Sequence, residues 1–226
     1  RRLARMGFKR VVLERQITLE ELKAITATSP LELELFIHGA LCCSLSGQCL
    51  FSSWLGGYSG NRGYCKQPCR RRYFTREGNG FFFSTQDLYT LDLLGEFETL
   101  GIAALKIEGR LQTAHYVQKA VSAYRLLLDT PPEERPNVIK EGRRILSNAY
   151  GRKWSHGFYT KEATVINHTE IPAAGLLCGT VTARSAKGLT VKVNAPIRIA
   201  DRLRIQSLSG DEGPALTVRK LYVQRR

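Results

Sequence analysis

Five of the six cysteines of this 226-residue chain fall between Glu34 and Arg72. Cys42 and Cys49 have six residues between them, Cys49 and Cys65 have fifteen, and Cys65 and Cys69 have three, which leaves Cys43 as an adjacent extra. Thiolates are soft ligands, so four of them converging from one loop would hold a structural zinc or an iron-sulfur cluster. Zinc sites usually draw on cysteine pairs about two to four residues apart, and here only Cys65 and Cys69 form one. Gly39, Gly47, Gly56, Gly57, Gly60 and Gly63 would let backbone amides approach a metal or its sulfide. Spacing alone leaves zinc and cluster both open. Short, unequal spacings without a secretory segment disfavour disulfides. Cys178, isolated in GLLCGTV, reads as a small buried hydrophobe.

Other groups able to do chemistry lie near this loop or at strand ends. His38 is a candidate general base or donor to a metal ligand, set against an ordinary structural role. Glu108, between Lys106 and Arg110, reads as a carboxylate held ionised by flanking cations, or as a surface ion pair. Arg70, Arg71 and Arg72 run directly into Tyr73 and Phe74, a pattern that grips phosphate and stacks bases, or else makes a solvated basic turn. The chain contains no H-E-x-x-H and no G-x-S-x-G motif. Its net charge of +14 raises the expectation of a polyanionic partner, with nucleic acid the first candidate.

These residues need a scaffold. Phe8–Glu14 reads as a strand, and Thr18 opens a capping box with Glu21 for a helix to about Thr26. Leu31–Ile37 reads as a strand ending at His38 and Gly39, where the cysteine loop begins. Phe81–Phe83 reads as a further strand. Asp87 is the expected N-cap of a helix through Leu100, with Leu88, Leu91, Leu94 and Phe97 at helical spacing and Gly101 as its stop. Ile102–Ile107 is the next strand. A long helix follows over about Thr113–Asp129, with Val117, Ala120, Val121, Tyr124 and Leu128 on one stripe, until Pro131 and Pro132 end it. Glu14, Arg15, His38, Lys106, Glu108 and Arg110 then sit at carboxyl ends of strands, where β/α barrels place active sites.

The expected fold class is therefore α/β: residues 1–132 form the carboxyl-terminal half of a TIM-like β/α barrel, with the cysteine-rich loop at 39–80. Residues 133–174 make a helix and basic linker. From Gly175 the period changes to two (GTVTARS, LTVKVN, RLRIQS, LTVRKLYV), predicting a small all-β barrel-like domain over 175–226. No apolar run reaches transmembrane length and no secretory segment is visible, which predicts no membrane association and a cytoplasmic location.

ELFIHGALC, SGQC, SGNRGYC, QPCRRRY, STQDLYTLDLL and LKIEGR, in that order, resemble the collagenase-like peptidase family of unknown catalytic type. The pattern E-x-F-x-x-G-A-L-C, then G-x-C-x-x-S, matches at Glu34, Phe36, Gly39, Ala40, Leu41, Cys42, Gly47, Cys49 and Ser52, and K-I-E-G-R matches from Lys106 to Arg110. The resemblance implies an amino-terminal barrel half upstream. It implies a 4Fe-4S cluster on Cys42, Cys49, Cys65 and Cys69, with zinc the alternative occupant. The activity implied is oxygen-independent hydroxylation of RNA, of the ribosomal RNA cytidine or transfer RNA uridine type, with prephenate as oxygen donor and an electron donor protein as partner. On this reading His38, Lys106, Glu108 and Arg110 line the pocket, and Arg70, Arg71 and Arg72 hold RNA. The alternatives are a collagenase-like peptidase and a non-catalytic, zinc-stabilised RNA-binding module.

Overall fold

In the computed structural model the described residues are 1–110, 112–149, 151–161, 165–166, 168, 176–186, 188–207 and 213–222. After a short helix, α1 (Arg2–Arg5), the chain enters β1 (Arg10–Val12) and α2 (Leu19–Thr26), then β2 (Glu32–Ala40). The Thr18 side chain accepts the Glu21 N–H and the Glu21 carboxylate accepts the Thr18 N–H, so the expected capping box is formed. β2 is the centre of the sheet. One edge carries β1, parallel through Arg10↔Glu32 to Val12↔Glu34, and further along it carries β5 (Asp87–Tyr89), antiparallel through His38↔Tyr89 to Ala40↔Asp87. The other edge carries β6 (Ala104–Ile107), which is parallel.

Alternation along β2 buries Leu33, Leu35 and Ile37, each at 5% exposure or less, while Glu32, Glu34 and Phe36 face the other way. The buried face packs against α2, α4 (Leu94–Thr99) and α5 (Ala114–Leu128), through Leu22, Phe97, Ala120 and Tyr124. Each large side chain so enclosed contributes about 1.5–3 kcal/mol. A register shift between Phe36 and His38 breaks the alternation, so Ile37, His38 and Gly39 are all buried. The Ile37 carbonyl is secured there by two hydroxyls, Tyr124 at 2.8 Å and Thr90 at 3.0 Å.

Beyond α5, α6 (Arg135–Leu146) adds Leu146 to the same core. Residues 154–159, read from sequence as linker, supply β7 (Trp154–Ser155), parallel to β5, and the buried Tyr159, whose hydroxyl donates to the Phe36 carbonyl at 3.0 Å. The rest of that stretch, 162–164, 167 and 169–175, lies outside the described residues. Towards the carboxyl end, β8 (Gly179–Ser185) pairs antiparallel with β9 (Gly188–Val193), and β10 (Arg202–Arg204) with β11 (Ala215–Thr217). Lys187, 208–212 and 223–226 lie outside the described residues.

Several expectations are corrected. Asp87 is no N-cap: it opens strand β5, Leu91–Leu93 is a single 3-10 turn, and α4 begins only at Leu94. The apolar spacing there is real, but pairing to β2 and β7 overrides it. Phe81–Phe83 is a turn; the short pair beside it is β3 (Tyr73–Phe74) with β4 (Asn79–Gly80). The buried stripe of α5 is Tyr116, Ala120, Ala123, Tyr124 and Leu127, while Val121 stays 42% exposed, because the helix also packs against α6. β1, β2 and β6 are adjacent and parallel, as a β/α segment requires, but antiparallel β5 makes the sheet mixed. Among the described residues no barrel closes, either here or in the two carboxyl-terminal strand pairs. Cys178 is half-buried and its thiol donates to the Leu176 carbonyl. Among the described residues no helix is long and apolar enough to cross a membrane.

Candidate functional site

The cysteine segment leaves the sheet at the carboxyl end of β2 and returns into β5, and its two roots are tied together. The Leu41 carbonyl accepts from the Thr85 hydroxyl and from the Arg70 guanidinium, which also donates to the Thr85 carbonyl and to Ser84 Oγ at 3.3 Å. Arg70 is thus a strut of the loop. Burial, then the nearby Arg152 charge, pull its pKa below the usual guanidinium value. A third tie runs from the end of β1: Glu14 accepts the Ser46 N–H at 3.1 Å, and Gln16 reaches the Cys42 carbonyl at 3.5 Å.

Within the loop, sulfur atoms already receive hydrogen bonds. Cys42 Sγ accepts the Ser44 N–H at 3.4 Å; Cys65 Sγ accepts the Gln67 N–H at 3.3 Å and the Ser52 hydroxyl at 3.7 Å. Ser52 is buried in α3 (Phe51–Trp54) and in turn accepts the Lys66 N–H at 3.1 Å, which fixes its orientation. Gln67 holds its left-handed backbone at φ 51°, aiming that amide at Cys65. The Cys69 thiol donates towards Cys43, which pushes Cys69 up and Cys43 down. Amide donors on sulfur are what thiolate ligands of zinc or iron-sulfur sites require, so the donor set fits such a group. Among the described residues no three His, Cys, Asp or Glu side chains are gathered closely enough to hold a metal ion.

Two carboxylate–guanidinium centres flank the thiols. At the end of β6, Glu108 accepts Arg15 Nη2 at 3.0 Å and Arg110 Nε at 3.0 Å, with Arg15 lying 3.9 Å over the Phe36 ring. Burial raises the Glu108 pKa, but the Arg110 hydrogen bond and the charges of Arg110 and Arg15 outweigh it, so the carboxyl is held below its ordinary value. Cys65 lies within electrostatic reach of Arg110. On the other side, Asp87, 1% exposed, accepts Arg152 Nη1 at 3.0 Å, and Arg152 continues to Gln67 Oε1 at 3.4 Å and into the field of Cys69.

His38 stands between the two centres, its ring among those of Tyr116, Tyr124 and Trp154 at 5.8, 5.5 and 6.4 Å. Neither ring nitrogen has a hydrogen-bond partner among the described residues. Burial pushes its pKa from 6.5 down to about 4, against a smaller upward pull from Asp87. Between these values the unfolded chain binds a proton that the folded chain refuses, so this stability is lost as pH falls from 6.5 to about 4. The loss is on the order of 3 kcal/mol. Urea titrations should give a flatter pH profile for His38→Phe over that window, and identical profiles for variant and parent would refute the assignment.

The structure therefore brings Glu108, Arg110 and Arg15 together, and sets Cys65 within reach of Arg110's charge. Lys106 pairs with Glu34 at 3.1 Å and lies 5.5 Å over the same Phe36 ring that Arg15 covers. Arg71 is exposed, and Arg72 donates to Asn79 at 2.6 Å and lies 5.0 Å over Phe81. Asp87 and Arg152 escape sequence reasoning because they are 65 residues apart and carry no local pattern.

Comparison with known proteins follows this geometry. The model of peptidase family U32 matches residues 1–169. The chain is 36% identical over 145 residues to the 23S rRNA 5-hydroxycytidine C2501 synthase of Escherichia coli, covering 61% of this chain and 22% of that protein. It is 32% identical over 168 residues to tRNA hydroxylation protein P1 of Bacillus subtilis, covering 68% and 40%. It is 31% identical over 174 residues to a collagenase of Porphyromonas gingivalis, covering 66% and 41%. The chain spans less than half the length of each of these relatives. No solved structure matches.

Proposed function

Because this chain belongs to peptidase family U32, we propose that it carries the thiol-bearing part of an RNA-hydroxylating site. The observation that carries this reading is the joint placement of the cysteine loop and the Arg15–Glu108–Arg110 centre at the carboxyl ends of β1, β2 and β6. Relatives named for rRNA and tRNA hydroxylation support it. Cys42, Cys49, Cys65 and Cys69 would hold a 4Fe-4S cluster, which when bound supplies one-electron chemistry, with an electron donor protein as the source. Zinc, the alternative, would supply ligation only.

The chain's own groups have definite roles in this reading. Glu108, kept ionised by two guanidiniums, offers a fixed hydrogen-bond acceptor beside the thiols. Arg110 keeps a side chain 75% exposed beyond its bond to Glu108, leaving donors for a phosphate or for a carboxylate of prephenate, the proposed oxygen donor. His38 stays neutral at pH 7 and contributes no charge. Lys106, paired with Glu34 and set over the Phe36 ring with Arg15, adds a further cation on the same side of β2.

The Cys43–Cys69 contact makes cysteine replacement the decisive test. Anaerobically reconstituted full-length protein should hold about four irons and matching acid-labile sulfide. Cys42→Ser should lose both, and Cys43→Ser should keep them. Colourless wild-type protein without sulfide would eliminate the cluster. The collagenase-named relative gives a peptidase its place as second reading, and gelatin hydrolysis that survives Cys42→Ser would select it.

A further inference from the structure

From Leu35 to Arg76 the chain contains no aspartate or glutamate, while Arg62, Lys66, Arg70, Arg71, Arg72 and Arg76 supply six positive charges. This acid-free segment also leaves large rings in solvent: Trp54 is 84% exposed, Tyr64 68% and Tyr58 46%. The exposure is built rather than loose. On one side of α3, Ser52 is buried and Phe51 packs on Tyr73 and Phe83 at 6.0 and 5.7 Å, which leaves Trp54 at the helix end facing out. Lys66 Nζ sits 4.4 Å over the Tyr58 ring, and Arg62 is exposed in the 3-10 turn Gly60–Arg62.

Resting on the RNA reading above, we propose that Trp54, Tyr58 and Tyr64, with Arg62 and Lys66 between them, form the platform on which unpaired RNA bases stack next to the thiol site. Aromatic faces interleaved with cations suit single-stranded nucleic acid: rings take bases of any identity and cations follow the backbone. The lack of carboxylates matches a polyanion, with nothing in the segment to repel phosphate. The platform shares a loop with Cys65, so a stacked base is held within a few residues of the proposed ligands.

The test uses full-length protein and a fluorescein-labelled, unstructured RNA oligonucleotide, with thermal melts as a control for folding. Trp54→Ala and Tyr64→Ala should each weaken binding about tenfold or more, and Trp54→Phe should retain most of it. Trp54→Leu keeps apolar surface but removes the π face, so it should behave like Trp54→Ala. Arg62→Ala with Lys66→Ala should reduce the salt slope by roughly 0.7 per lost phosphate contact. If wild type binds RNA and the ring variants bind equally well, the platform is wrong while the RNA reading stands. Retained binding by Trp54→Leu, or a ring-dependent change in oligomeric state or vesicle binding with RNA affinity unchanged, would also overturn it. Nucleoside mass spectrometry of RNA from a deletion strain tests the RNA reading separately: loss of a hydroxylated nucleoside supports it, and an unchanged set removes both.

Discussion

Gly39→Ala should cost on the order of 4 kcal/mol in urea unfolding. Two effects combine there. The backbone at Gly39 has φ +103°, outside the range L-residues adopt readily. A Cβ at this position would also stand 2.4 Å from the Glu108 carbonyl oxygen, which is backbone and has nowhere to yield, since the Glu108 N–H is bonded to the His38 carbonyl at 2.9 Å. Gly101 is the control. It too has positive φ, at 67°, but open space surrounds it, so Gly101→Ala should cost only about 1–2 kcal/mol. Equal losses at the two glycines would mean that close approach of β2 to the end of β6 is not what Gly39 provides. The same clash would displace Glu108 and with it the Arg15–Glu108–Arg110 centre.

The second large effect is expected at Asp87. Its carboxylate, 1% exposed, accepts both the guanidinium and the backbone N–H of Arg152, at 3.0 and 3.2 Å. Asp87→Ala would leave Arg152 buried without a counter-charge and close to the buried Arg70, at a cost of about 3–5 kcal/mol. Adding Arg152→Leu should recover a large part of that loss, because two opposite charges then leave together. A chemical denaturation series over the two single variants and the double variant measures the coupling. Near-additive losses would show that the pair is not the unit that matters here.

How much of this was legible beforehand differs by residue. Local signals read well: the Thr18–Glu21 box, Gly101 after α4, the extent of α5 and the strand into His38 all depend on neighbours within about four positions. Asp87 misled because Leu88, Leu91, Leu94 and Phe97 are all buried or nearly so, as a helix would have them. Their burial comes from a strand, a 3-10 turn and a helix in succession, decided by partners at His38 and Trp154 that no window contains. The Glu108 centre was visible as a charge pattern in KIEGR, but its second cation, Arg15, lies 93 residues away. The basic run Arg70–Arg72 looked uniform, yet one member braces the loop, one is exposed and one bonds Asn79. Identical residue types next to one another give no hint of such division, which arises from the direction each takes as the chain turns through Pro68–Arg70.

β2 takes its neighbours from residues 10–12, 87–89 and 104–107. During synthesis it therefore emerges with only one partner made, and the cysteine loop follows before either of the others. At about 5–20 residues per second, the thiols spend several seconds outside the ribosome on a strand whose far edge is still bare. The cysteine segment is therefore met first as an open chain, before β5 and β6 close beside it.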